Sequence, residues 1–278
     1  MTRVLVLGGA GMLGHKTFQL LGERFESFAS FRRVDRRLRA AALFPPQGVI
    51  DGVDVRDPVS LARAMDLVRP DVVVNCVGLI KQREDAKQPA LADERGARLI
   101  HVSTDCVFSG AAGDYRETNV PDATDLYGRT KLLGEVDAPN VLTIRTSMIG
   151  RELFHRVSLV EWLISQRGPT VRGFTNAHFS GLTTIALARE IARLISEFPT
   201  LHGLYHVGGD PISKHDLLVL LRDAYALDCR IEPDDAFHCD RTLNTERYRA
   251  ATRFQPPSWP ALVAELAADP TPYDTIYT

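Results

Sequence analysis

One stretch restricts the fold of this chain more than any other: Arg3-Val4-Leu5-Val6-Leu7 runs directly into Gly8-Gly9-Ala10-Gly11-Met12-Leu13-Gly14. An unbroken aliphatic run of this length suits a strand buried on both faces. Met12, Leu13, Phe18, Leu20 and Leu21 then follow an apolar helical pattern, so the order is strand, glycine turn, helix. Gly8, Gly11 and Gly14 let the backbone approach a pyrophosphate while the helix N-terminus, with Met12 and Leu13, faces it, which is the logic of dinucleotide binding. The expected fold is α/β: a Rossmann-type doubly wound parallel sheet with a smaller mixed C-terminal substrate-binding part.

The following segments keep the strand and helix alternation that such a sheet needs. Glu26 to Phe31 reads as the second strand, and its end is where an adenosine ribose would be read. A carboxylate there suits the 2′-hydroxyl of NAD and an arginine the 2′-phosphate of NADP. The chain offers Ser30, Arg32 and Arg33, with no carboxylate before Asp35, so NADPH is the expected cofactor and NAD the alternative if the strand ends elsewhere. Val49 to Val55 reads as a third strand, and Pro58 opens a helix to about Val68. Val72 to Gly78 is a fourth strand whose end, Cys76-Val77-Gly78, belongs beside the cofactor. Ile80 to Ala97 then returns the chain with only a weak helical fragment around Ala90 to Arg95. A crossover needs about a dozen residues or more, usually with a substantial helix. Either that sheet face is thinly covered or the sequence lacks residues near Ala92-Asp93.

Arg98 to Val102 is a fifth strand ending in Ser103-Thr104-Asp105-Cys106, which puts hydroxyls and a carboxylate at the carboxyl edge of the sheet. Thr104 there can donate to a substrate carbonyl. Tyr127 and Lys131 follow four residues apart at the start of a predicted helix, so both leave the same face. A cation beside a phenol lowers its pKa and prepares it to move a proton. A sixth strand, Val141 to Arg145, comes next. Beyond Gly150 the expectations are an amphipathic helix from Glu152 to Gln166, a polar loop from Phe174 to Gly181 and an apolar helix from Leu182 to Phe198. A strand at Gly203 to Val207, a helix from Lys214 to Tyr225 capped by Ser213, and a last helix from Pro256 toward Ala267 complete the chain. The expected division is 1–150 for the dinucleotide and 151–278 for the substrate, with about 181–208 returning to the first part.

Composition narrows the function. The 278 residues are 45% hydrophobic and 24% charged, with a formal net charge of −2, which gives no electrostatic reason to expect nucleic acid. No segment approaches the roughly 20 apolar residues of a membrane span, and Met1 to Leu7 is too short for a signal peptide. Four cysteines without close pairing, and His202 and His206 in a strand pattern, predict no metal. A cytoplasmic protein with free thiols is expected.

Taken together, the Gly8, Gly11, Gly14 turn, Ser103-Thr104-Asp105-Cys106-Val107-Phe108, Tyr127 with Lys131, and Arg145-Thr146-Ser147-Met148-Ile149-Gly150 resemble the extended short-chain dehydrogenase/reductase family, and within it the dTDP-4-dehydrorhamnose reductase group. The resemblance implies that Tyr127 protonates a ketone oxygen, that Lys131 holds the nicotinamide ribose, that Thr104 hydrogen-bonds the ketone, and that Asp54 and Val55 lie beside the adenine. More loosely, it places Asn176, Ser180, Thr183 and Arg241, with Asp105, at a nucleotide-sugar site, Arg241 suiting a diphosphate. The implied activity is NADPH-dependent reduction of the C4 ketone of a nucleotide-linked 4-keto-6-deoxy sugar, in deoxysugar or surface-polysaccharide biosynthesis. The short crossover falls where the family carries an interface helix, which leaves monomer and homodimer both open. The rivals are an epimerase or dehydratase on the same scaffold and a non-catalytic NADP-binding regulatory subunit, as a methionine adenosyltransferase partner in this group is.

Overall fold

The computed structural model describes residues 1–40, 43–78, 92–154, 156–166 and 170–276. Its centre is a seven-stranded sheet in which every pairing is parallel. The strands are β1 (Arg3–Leu7), β2 (Glu26–Ser30), β3 (Val49–Ile50), β4 (Val72–Asn75), β5 (Arg98–Thr104), β6 (Val141–Thr146) and, from much later in the chain, Gly203–His206 beside β6. Side chains alternate across a strand, and the sequence uses that period to fill two different faces. Val4 and Val6 join Val72, Val74, Ile100, Val102, Leu142 and Ile144 on one face, with Phe18 and Leu21 of α1 (Met12–Leu21). Leu5, Leu7, Val73, Leu99 and Val141 occupy the other, under Leu61, Met65 and Val68 of a second helix.

That helix, Pro58–Val68, starts where the sequence predicts, with Pro58 in its first turn and the Asp57 carboxylate accepting from Val59 N–H. The third strand is shorter than expected. Only Val49 and Ile50 pair with β2, because Asp51 turns to accept from the N–H groups of Val34 and Gly52, and Gly52 takes φ +75. Residues 79–91 of the short crossover lie outside the described residues. Ala92 to Ala97 form one hydrogen-bonded turn, Ala97 N–H to Ala92 C=O at 2.9 Å, and both alanines are buried on the second face.

In the later part, β7 (Met148–Ile149) pairs with Leu182–Thr183. Only Leu159–Ser165 of the expected Glu152 to Gln166 helix is helical, because the Glu152 carboxylate accepts from the N–H groups of Val157 and Ser158 and holds that stretch as a loop. The Phe174 to Gly181 segment is not simply a loop. β8 (Thr170–Phe174) pairs with Arg230–Asp234, and β9 (Ala177–Phe179) is the middle of a three-stranded sheet between Ile212–Ser213 and Cys239–Asp240. Strands β10 (Leu182–Thr183), β11 (Gly203–His206), β12 (Ile212–Ser213), β13 (Arg230–Asp234) and β14 (Cys239–Asp240) complete the set.

The helix expected from Leu182 begins at Thr184, since Thr183 stays in β10 and its hydroxyl accepts from Ala186 N–H as the cap. Thr184–Glu197 packs along α1 over the first sheet face, and Arg98 donates to the Leu194 carbonyl in its last turn and to the Leu201 carbonyl beyond it. Ser213 caps Lys214–Ala224 through Asp216 N–H, as the sequence predicts. Trp259–Ala267 is followed by a further short helix, Tyr273–Ile276. Among the described residues no helix is long and apolar enough to cross a membrane.

Candidate active site

Two neighbouring regions collect at the carboxyl edge of the parallel sheet. The first is a cleft of ≈ 550 Å³ lined by residues from four strand ends, among them Gly8, Gly11, Ser30, Arg32, Asp54, Val55, Cys76, Val77 and Gly78. The turn is built from its own backbone: Gly11 N–H donates to Gly8 C=O at 2.9 Å and Gly8 N–H to Ser30 Oγ at 3.3 Å. A Cβ on Gly14 would run into the Gly8 carbonyl oxygen, so glycine there is what lets α1 sit close under the turn. The first N–H groups of α1 have no acceptor within the helix, and the helix dipole adds positive potential at that end. A dinucleotide pyrophosphate fits this cradle on the chemistry of its donors.

Met12, Leu13, Gly14 and Arg33 of the sequence-predicted set are not in the cleft wall, Gly14 being packed under the turn. Leu13 is buried in the core below the turn, and Arg33 is exposed outside the cleft wall that carries Arg32. The cleft is also lined by Arg56 and Phe31, neither of which the sequence argument chose as a cofactor residue. The Arg56 guanidinium is paired with the Asp54 carboxylate, Nε to Oδ1 at 2.9 Å, and that pairing holds Asp54 down at about 2. An Asp-x-Arg spacing is the only signal that could have pointed to Arg56.

The second region is the end of β5 with the Tyr127 helix, α4 (Leu126–Leu133), which follows α2 (Arg36–Ala40) and α3 (Pro58–Val68) in the chain. Asp125 caps α4 by accepting from Gly128 N–H at 2.7 Å. Gly128 packs on the Cys106 carbonyl, where a Cβ would collide, and this contact sets Tyr127 beside Thr104. One turn on, the buried Lys131 ammonium donates to the Val102 carbonyl at 2.8 Å. Burial pulls Lys131 down to about 8, against the favourable charges of Glu135 and Cys76.

The expected lowering of the Tyr127 pKa by Lys131 is not what the structure has. Burial pushes the phenol up, the Cys106 and Asp105 groups push the same way, and the Thr104 hydroxyl opposes them. The reason is geometric, because the Lys131 charge is directed to a main-chain carbonyl. A raised phenol pKa keeps Tyr127 protonated at neutral pH, which is the state a proton donor needs.

Thr104 Oγ1 accepts from Cys106 N–H and donates to Asp105 Oδ1, both at 3.1 Å. A hydroxyl carries one proton, so Thr104 cannot donate to Asp105 and to a ketone together. Asp105 is 5% exposed; burial raises its pKa, and hydrogen bonds from Thr104 and Cys106 with the nearby Arg241 and Lys214 oppose that rise.

The remaining candidates separate. Arg241 does reach this region and has protein partners there: Nε on Phe108 C=O at 3.0 Å, Nη1 on Cys106 Sγ at 3.4 Å and Nη2 toward Asp125 at 3.7 Å. These contacts brace the loop after β5 and the cap of α4. Ser180 is buried, and its hydroxyl accepts from Leu243 N–H at 2.8 Å. The Asn176 amide donates to Asp235 C=O at 3.1 Å and meets His238 Nε2 at 3.2 Å, which binds it to its own loop. Thr183 serves the helix cap described above. Lys214, which the sequence argument passed over, lies over the Phe179 ring; burial lowers its pKa, and the charge of Asp105 opposes that while Arg241 adds to it. Nothing in its local sequence marks it.

Comparison with known proteins agrees with this geometry. Residues 4–141 match the NAD dependent epimerase/dehydratase family and residues 80–269 the RmlD substrate binding domain. The chain is 28% identical to methionine adenosyltransferase 2 subunit beta of Pongo abelii, over 81% of this chain and 72% of that protein. It is also 28% identical to dTDP-4-dehydrorhamnose reductase of Salmonella typhimurium, over 61% and 65%. The fold superposes on dTDP-4-dehydrorhamnose reductase from Bacillus anthracis in complex with NADP with a TM-score of 0.74, covering 96% of this chain and 98% of that one at 19% identity. With the larger part of its length matched, and a glycine cleft meeting a Thr, Tyr and Lys centre at one sheet edge, this chain belongs to the RmlD substrate binding domain family within the extended short-chain dehydrogenases/reductases.

Proposed function

We propose that the protein is an NADPH-dependent reductase of the C4 ketone of a nucleotide-linked 4-keto-6-deoxy sugar. The observation that carries the reading is the convergence of Tyr127, Thr104 and Lys131 beside the glycine cleft, with Tyr127 held protonated by its surroundings. Gly8, Gly11 and the first amides of α1 would hold the pyrophosphate, Arg32 the adenosine 2′-phosphate, and Lys131 the nicotinamide ribose. The dinucleotide, when bound, supplies the hydride.

The chain's own residues do the rest. Negative charge grows on the ketone oxygen, and the hydroxyl of Tyr127, a residue 37% exposed, delivers its proton there. Substrate turns the Thr104 hydroxyl from Asp105 to the same oxygen, and Asp105 then takes up a sugar hydroxyl in its place. The 28% identity to a methionine adenosyltransferase subunit keeps a second reading in view, a dinucleotide-binding regulatory subunit. Incubation with dTDP- and UDP-linked 4-keto-6-deoxyhexoses while following NADPH absorbance separates the two. Consumption of NADPH that Tyr127→Phe abolishes is the reductase outcome; tight NADPH binding without turnover on any sugar of the panel is the subunit outcome.

A further inference from the structure

Lys214 stands at the start of the helix that follows β12, and β12 pairs with β9, which pairs with β14. The three-stranded sheet therefore carries Lys214, Phe179 and Arg241 as one unit. Asp240 N–H donates to Gly110 C=O at 2.8 Å, which docks that unit against the loop after β5. The Lys214 ammonium lies 4.4 Å from the centroid of the Phe179 ring and makes no hydrogen bond or ion pair among the described residues. Asp105 acts electrostatically on that ammonium, and the unit that carries Lys214 reaches the residue next to Asp105 through Arg241 Nη1 on Cys106 Sγ at 3.4 Å.

Asp105 shows the complementary opening. Both of its donors, the Thr104 hydroxyl at 3.1 Å and the Cys106 thiol at 3.5 Å, fall on Oδ1, and Oδ2 accepts no hydrogen bond among the described residues. A carboxylate oxygen accepts only and an ammonium donates only. A phosphate oxygen satisfies the ammonium but is repelled by the carboxylate. A hydroxyl satisfies both, accepting from one and donating to the other.

We propose that Lys214 and Asp105 together grip a hydroxyl of the sugar ring next to the ketone carbon, making Lys214 a substrate-binding residue that selects sugars carrying a hydroxyl there. The position follows from Asp105 being the direct neighbour of Thr104, which marks the ketone end of the site. Arg241, bonded to Phe108 C=O and Cys106 Sγ, holds the loop that presents Asp105. This inference rests on the reductase reading above and extends it to the sugar.

The test uses the full chain as Lys214→Met, which keeps the stem on Phe179, and Lys214→Arg, which keeps the charge. Binding of NADP and of dTDP or UDP alone is measured beside turnover of the 4-keto-6-deoxyhexose nucleotides. Loss of a hydrogen bond to a charged group corresponds to roughly a ten- to hundredfold rise in KM for the keto sugar in Lys214→Met. NADP and free nucleoside diphosphate should bind as before, and Lys214→Arg should recover part of the KM. An analogue lacking the hydroxyl beside the ketone should show the raised KM with the unmodified protein and no further rise with Lys214→Met. Weakened dTDP or UDP binding in Lys214→Met would put the ammonium on the diphosphate and overturn the inference, as would an unchanged KM for the keto sugar. Absence of turnover by the unmodified protein would sink the reductase reading and this inference with it, a result distinct from either of those. If Lys214→Met fails to bind NADP, Lys214→Gln with the same measurements takes its place.

Discussion

The two halves of the candidate site are made in opposite ways. The dinucleotide cleft is a backbone construction: glycines, strand ends and the first amides of α1 form it, and one residue type in one spacing is enough to specify it. The proposed sugar side is made of side chains from segments more than a hundred residues apart, and most of its polar groups are already engaged with the protein. Ser180 holds Leu243, Asn176 holds the 235–238 loop, and Arg241 holds Phe108, Cys106 and Asp125. A polar residue in the right segment is therefore weak grounds for a ligand contact, whereas a glycine in the right turn is strong grounds.

The largest expected effect tests the chemical centre where the halves meet. Tyr127→Phe should lower turnover by roughly 10² to 10⁴-fold while NADPH affinity, measured by fluorescence titration, is retained. A Tyr127→Phe protein reducing its sugar at the unmodified rate would refute the proposed proton donor.

On the backbone side, Gly14→Ala should cost about 1–3 kcal/mol or more, because the added methyl meets a main-chain oxygen that cannot rotate away. Thermal unfolding should register the loss and NADPH titration a weaker complex. A variant as stable and as tight as the original would mean that the turn does not depend on close packing of α1.

Charge comes next. Lys131 is lowered to about 8, so its ammonium is present below that pH and is lost as pH rises through it. The dissociation constant for NADPH should accordingly rise from pH 7 to 9.5, and a flat profile would remove Lys131 from the ribose site. Arg32→Ala should reduce the preference for NADPH over NADH by about tenfold or more, the scale of a charged hydrogen bond, while Arg33→Ala should change it little. Equal effects of the two would restore the pair of arginines that the sequence suggests.

The smallest effect sharpens the contrast on the sugar side. Ser180→Ala leaves the buried Leu243 N–H without its acceptor, so stability should fall by about 1–3 kcal/mol with the sugar KM unchanged. A raised KM at full stability would return Ser180 to the substrate.

Where the sequence and the structure part company, the cause is contact between distant segments. Strand β1, the glycine turn, Pro58–Val68 and the Ser213 cap were legible because periodicity and capping act within a few residues. Gly203–His206 was legible as a strand, but its place beside β6 is a tertiary fact. The Phe174 to Gly181 segment looked like a loop because its polar residues sit among short strands whose partners lie at 212–213, 230–234 and 239–240. The direction of the Tyr127 shift was misread because spacing brings Lys131 to the same helix face without saying which acceptor its ammonium chooses.

The sequence by itself determined the strand, glycine turn and helix, the Tyr127 and Lys131 pair, and the alternation that buries two sheet faces, since each depends on local geometry that neighbouring residues impose. Only the tertiary structure decided that Arg56 lines the cleft while Arg33 does not, that Arg241 braces the loop after β5, and that Lys214 comes within electrostatic reach of Asp105. Those outcomes turn on which donor meets which acceptor across the fold, and a hydrogen bond or an ion pair acts only between atoms that folding has brought within a few ångströms.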